Sequence, residues 1–118
     1  MTPTARKTYR LIFAEANRDI FEAIRDGRKK VETRAASLKY RAIQPDDILN
    51  LVCGGESVEK KVIQVKIFKN IPDLLASYTV AQINPNVNSR KELEDLYHSF
   101  SGYTEKIAAF GLIAMELE

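Results

Sequence analysis

Thr8–Phe13 (TYRLIF), a short stretch rich in apolar and aromatic residues, reads as a first strand. The pattern then changes. Ile20, Phe21 and Ile24 recur at helical spacing, with Asn17 placed to cap the helix and Gly27 just past its end. Val31–Arg34 reads as a short strand on which Glu32 and Arg34 share one face. Gln44-Pro45-Asp46-Asp47 is a turn, Ile48–Cys53 a strand, and Gly54-Gly55 a second turn. Lys61–Phe68 is rich in β-branched residues, with Ile63, Val65 and Ile67 on one face. Two helices follow. One starts near Pro72, with Leu74, Leu75 and Tyr78 as its apolar side. The other starts at Ser89 with Glu92 at capping-box spacing, carries Leu93, Leu96, Tyr97 and Phe100, and ends at Gly102. Gly111–Leu117 reads as a last strand. Strands outnumber helices and do not alternate regularly with them, so the class is α+β with a curled or barrel-like mixed sheet.

Composition narrows this picture. At 118 residues, 45% hydrophobic and 29% charged, the chain fits a single domain over 1–118 with a core that needs no staples. No apolar run approaches the roughly 18 residues of a membrane span, and the first ten residues lack a signal-peptide core. The expected localisation is therefore cytoplasmic, with no membrane partner. One cysteine and one histidine exclude an internal disulfide and argue against a cysteine- or histidine-rich metal centre, and no cofactor is expected. Cys53 reads as a buried core thiol, His98 as a surface or half-buried residue, and the Leu93–Leu96–Phe100 face as core packing. The nucleophile-elbow, P-loop and dinucleotide-binding signatures are missing.

The charge is unevenly spread. Arg25, Arg28, Lys29, Lys30, Arg34, Lys39 and Arg41 face only Asp26 and Glu32 within one short segment. That segment carries +5 while the whole chain carries +2. Cations gathered this way suit a polyanion, although a solvated basic loop would look the same. A carboxylate between guanidinium and ammonium groups stays ionised and orients both. Glu32 also raises the pKa expected for Lys29, which places binding ahead of general-base chemistry.

The motif Ile24-x-x-Gly27-x-Lys29-Lys30-x-Glu32-x-Arg34 resembles the signature of the ASCH family, a branch of the PUA-like superfamily of RNA-associated β-barrels. Arg41-Ala-Ile43-Gln-Pro45-Asp46-Asp47-Ile48 is similar to the turn and strand that follow in that family, with Asp46 where the family has glycine. Val65-x-x-Phe68, Tyr97…Gly102-Tyr103 and the closing Gly111–Glu116 run keep the same order, so the resemblance spans nearly the whole chain. It implies a PUA-like mixed β-barrel with flanking short helices. It also implies a module for single-stranded RNA or a nucleotide, with Arg28, Lys29, Lys30, Glu32, Arg34 and Arg41 in a basic cleft. Tyr40 and Tyr103 are candidate stacking surfaces, or rim or core aromatics. An alternative is a small hydrolase, a ribonuclease or an acylcytidine amidohydrolase-like enzyme using Lys29 and Glu32. Family members of the latter kind carry threonine at the position of Glu32. A protein-interaction adaptor is a third reading.

Overall fold

The computed structural model describes residues 6–118. Five strands form a mixed half-barrel: β1 (Thr8–Phe13), β2 (Val31–Ala35), β3 (Ile48–Cys53), β4 (Glu56–Phe68) and β5 (Leu112–Leu117). Their spatial order is β1-β3-β4-β5-β2. β1 runs parallel to β3, and the other three pairings are antiparallel. β1 and β2 are therefore the two edges of an unclosed barrel.

Six helices accompany the sheet among the described residues: α1 (Arg18–Arg25), α2 (Leu38–Arg41), α3 (Ile71–Ser77), α4 (Val80–Ile83), α5 (Arg90–Ser99) and α6 (Tyr103–Phe110). α1 buries Phe21, Ala23 and Ile24, as its spacing predicts. Gly27, at φ 87°, turns the chain out of α1, a conformation glycine adopts without a Cβ clash. Lys29 N–H then returns to Ala23 C=O at 2.9 Å, which fixes where β2 begins.

β5 divides the interior. Ile113, Met115 and Leu117 join one apolar cluster with Leu11, Phe21 and Leu51. Leu112 and Ala114 join a second with Leu74, Leu93 and Tyr97. A strand covered on both faces needs a continuous apolar run rather than alternation, and LIAMEL supplies it.

Several expectations are corrected. β4 begins at Glu56, five residues earlier than its β-branched core suggests. The face with Ile63 and Ile67 is not the buried one. Ile63 is 54% exposed and Ile67 44%, while Val62 is buried. A register shift between Val62 and Gln64 breaks the alternation at this point. Asn17 occupies the cap position of α1 but makes no capping bond. Ser89 does cap α5 by accepting from Glu92 N–H, whereas the Glu92 carboxylate accepts from Asn88 N–H at 2.8 Å instead of closing a capping box on Ser89. Gly102 lies beyond the end of α5 and introduces α6, a helix absent from the sequence reading. Asp46 takes φ 78° where the resembled turn has glycine, and Asp47 beside it is buried, accepting from Lys7 N–H and Gln44 N–H. No helix among the described residues is long and apolar enough to cross a membrane.

Candidate functional site: a pocket between the open strand edges

The chemistry concentrates along the free edge of β2. β5 takes one side of this strand. Leu117 N–H donates to Lys30 C=O and Ala36 N–H to Gly111 C=O, so the alternation directs the backbone groups of Val31, Thr33 and Ala35 away from β5. Bare groups on a buried edge would be costly. The charged motif covers two of them, and Tyr103 and Ser37 two more. Lys29 Nζ donates to Val31 C=O. Thr33 N–H donates to Glu32 Oε1 at 3.0 Å. The Tyr103 hydroxyl sits against Ala35 N–H. Ala35 C=O accepts from Ser37 N–H at 2.9 Å.

Lys29 and Glu32 are buried, and Arg34 is nearly so. Lys29 Nζ lies 3.4 Å from Glu32 Oε1, and Arg34 Nε lies 3.2 Å from Glu32 Oε2. Lys29 also donates to Ile83 C=O, which ties β2 to the end of α4. All three protons of its ammonium thus have acceptors: Val31 C=O, Ile83 C=O and Glu32. Arg34 is held differently. Its guanidinium carbon sits 4.9 Å from the Phe13 ring centre and 5.8 Å from that of Tyr40. Nε faces Glu32, and the two terminal nitrogens make no hydrogen bond within the described residues. The result is an oriented fork with its donors free.

These groups line a cavity of about 240 Å³. Ile12, Phe13 and Ala14 of the β1 end stand on one side and Glu32, Thr33 and Arg34 of β2 on the other. Leu93, Leu96, Tyr97 and Phe100 of the α5 region form a further wall with Tyr103. The half-barrel stays open here, and the gap between its two edges is the site.

Burial sets the electrostatics. It lowers the Lys29 pKa more than Glu32 raises it. The adjacency of Glu32 in sequence therefore predicts the wrong direction, because sequence does not reveal how completely Lys29 is desolvated. Burial also opposes the Arg34 charge, but Glu32 and the nearby tyrosine oxygens outweigh it and the net direction is upward. Burial pushes the phenols of Tyr97 and Tyr103 up, so both are neutral at ordinary pH. Tyr97 shares a hydrogen bond with the Thr33 hydroxyl.

The other sequence candidates lie elsewhere. Arg28 is exposed and paired with Asp26 at 2.8 Å. Lys30 is exposed just before the start of β2 and does not line the cavity. Arg41 donates to Ala36 C=O at 3.0 Å and to Phe110 C=O at 2.8 Å, which clamps α2 to the end of α6. Tyr40 backs the Arg34 guanidinium and does not line the cavity. Arg25 is paired with Glu22 and Glu56. Of the seven clustered cations only Lys30, Lys39 and Arg41 stay exposed without an acidic partner among the described residues, and Arg41 is engaged by two backbone carbonyls. The basic segment is therefore not a continuous cationic surface.

Sequence reasoning missed Thr33, Asn84 and Asn17 as wall residues, and it assigned Leu93, Leu96 and Phe100 to core packing alone. Helical spacing identifies the inward face of α5 but cannot tell a filled core from a cavity wall. Cys53 is buried, as expected, and the exposed His98 pairs with Thr104. No group of three or more histidine, cysteine or acidic residues suited to a metal occurs among the described residues.

No family model and no curated protein matches the chain. Its fold recurs in solved structures. The crystal structure of the hypothetical protein PH0355 superposes with a TM-score of 0.79 at 26% identity, covering 94% of this chain and 97% of that one. The solution structure of protein PF0455 from Pyrococcus furiosus gives 0.74 at 25% identity, covering 94% and 96%. Both likenesses run almost end to end, so the half-barrel is a whole-chain architecture.

Proposed function

We propose that the protein binds a nucleotide, or one base splayed from single-stranded RNA, in the pocket between β1 and β2. The observation that carries this reading is the free Arg34 fork, held by Glu32 beside an aromatic-walled cavity. Small-molecule sites are mostly apolar clefts with a few convergent polar groups, commonly about 300–1,000 Å³ for drug-sized ligands. A space of about 240 Å³ suits one ring rather than a length of chain. Tyr103 and Phe100 supply faces for stacking, and the Thr33 edge supplies an acceptor for a ring N–H or amino group. The resemblance of Ile24–Arg34 to the ASCH signature, within the PUA-like superfamily, points to the same ligand class. Lys29 and Glu32 are positioning residues here, and Arg34 makes the contact.

A hydrolase acting on RNA or a modified nucleoside is the second reading. It draws on the lowered Lys29 pKa, since a less basic lysine accepts a proton more readily near neutral pH. Geometry ranks it lower. A general base needs a lone pair directed at substrate, and the Lys29 nitrogen is surrounded by Val31 C=O, Ile83 C=O and Glu32 of the chain itself.

Calorimetric titration with nucleosides, nucleoside monophosphates and short single-stranded RNAs tests the proposal. At least one base-bearing ligand is expected to bind with one-to-one stoichiometry. With Lys30 and Lys39 the cations of the basic segment that have neither an acidic nor a backbone partner, RNA affinity is expected to fall with salt at a log–log slope of about −1.4 or shallower. Failure of every base-bearing ligand to bind would refute the reading. A slope near about −3 would move the interaction to a surface and refute the pocket.

A further inference from the structure

We infer that the pocket selects an anionic ligand, whose oxyanion is received by the Arg34 fork while its ring lies against the aromatic wall. This deepens the proposed function and rests on it only for the nature of the ring.

The argument starts from charge. The residues lining the cavity include one acid, Glu32, and two bases, Lys29 and Arg34. The two tyrosines in the wall are held neutral by burial. With all three charged groups ionised, the pocket lining carries one net positive charge, only partly exposed to bulk water. Such a charge is costly unless it is paired. A ligand bearing one negative charge removes it.

The donors agree with the charge. Arg34 is stacked over Phe13 and bonded through Nε, so its terminal nitrogens are presented edge-on, the geometry that receives two oxygens of a phosphate or carboxylate. A second donor is unspent. Asn84 is 4% exposed and lines the same cavity. Its Oδ1 accepts from Asn86 N–H at 2.9 Å, while its side-chain nitrogen has no partner among the described residues. The cavity lining contains no acid other than Glu32, whose charge is paired with Lys29 and Arg34.

Phosphate and carboxylate share this chemistry, and calorimetry distinguishes them with three probes: a nucleoside, its monophosphate and benzoate. The monophosphate is expected to bind about 10- to 100-fold more tightly than the nucleoside, the value of a charge-assisted contact. In Arg34→Gln that increment is expected to vanish, and in Arg34→Lys to shrink, because the charge remains without the fork. The ratio in the unaltered protein carries the test even if a variant misfolds. Equal affinity for nucleoside and monophosphate would overturn the inference while leaving the nucleobase reading intact. Binding of benzoate without either nucleobase compound would support the inference and overturn that reading. Binding of none of the three would overturn both.

Discussion

Gly111→Ala is expected to abolish folding or to cost roughly 4 kcal/mol, the upper end of single-substitution effects. Gly111 ends α6 at φ 77°, ψ −161°, a region open essentially only to glycine. Space is the second obstacle. A Cβ there would overlap the Phe68 C=O and lie 3.3 Å from its carbon, and these are backbone atoms that no rotamer can move aside. The close approach has a purpose in the fold. Gly111 C=O accepts from Ala36 N–H at the last rung of the β2–β5 ladder, and Phe68 pairs with Leu112 at the last rung of β4–β5. The turn at Gly111 therefore locks the α6 end onto the sheet where β5 starts. Urea denaturation followed by circular dichroism checks this. A variant within about 1 kcal/mol of the parent would show that the turn can relax.

Glu32→Gln is expected to destabilise the protein by about 3–5 kcal/mol, as removal of one partner from a buried charge cluster does. Glu32 accepts from Lys29, Thr33 N–H and Arg34. A glutamine keeps one acceptor oxygen but turns an NH₂ toward donors, and it leaves two buried cations without a counter-charge. Simple electrostatics says that an anion then binds more tightly to a more positive pocket. The positioning role says that it binds more weakly, since Arg34 loses the carboxylate that aims its fork. The expected result is weaker anion binding by about tenfold, measured where the variant is still folded. Tighter binding, with a stability loss below about 1 kcal/mol, would reduce Glu32 to an ordinary repulsive charge.

Residue pattern made much of the frame legible. The apolar stretch in TYRLIF, the apolar run of β5 and the Phe21–Ile24 stripe report burial that residue pattern can express. The bulge at Ile63 and the start of α6 after Gly102 escaped, because each depends on a partner strand or a turn that local spacing does not encode. The site was half legible. The sequence places Glu32 and Arg34 on one strand face with Lys29 just before it, and the structure brings the three side chains to one cavity. The meaning of this charged row changed once burial was known. The cluster that reads as a cationic surface dissolves into pairs with Asp26, Glu22, Glu56 and backbone carbonyls, and the remaining fork lines the pocket between the open strand edges. Asn84 enters from a segment with no motif of its own and Thr33 from an unspecified position within the charged motif, so only the fold shows that they share one cavity.

The same charged row has a structural use. It covers the free edge of β2 with side chains and so protects that edge from pairing with another strand. Binding and edge protection are compatible, because Lys29 and Glu32 satisfy the backbone while Arg34 keeps its terminal donors for a ligand.

The most direct test is to follow backbone amide and arginine Nε–H resonances of the labelled protein by NMR while a nucleoside monophosphate is added. The pocket account predicts that the largest shifts fall on Thr33, Arg34, Asn84 and the Tyr97–Tyr103 stretch, with the Arg34 Nε–H among them. Shifts confined to Arg28, Lys30 and Lys39, with Arg34 and Asn84 unmoved, would contradict it.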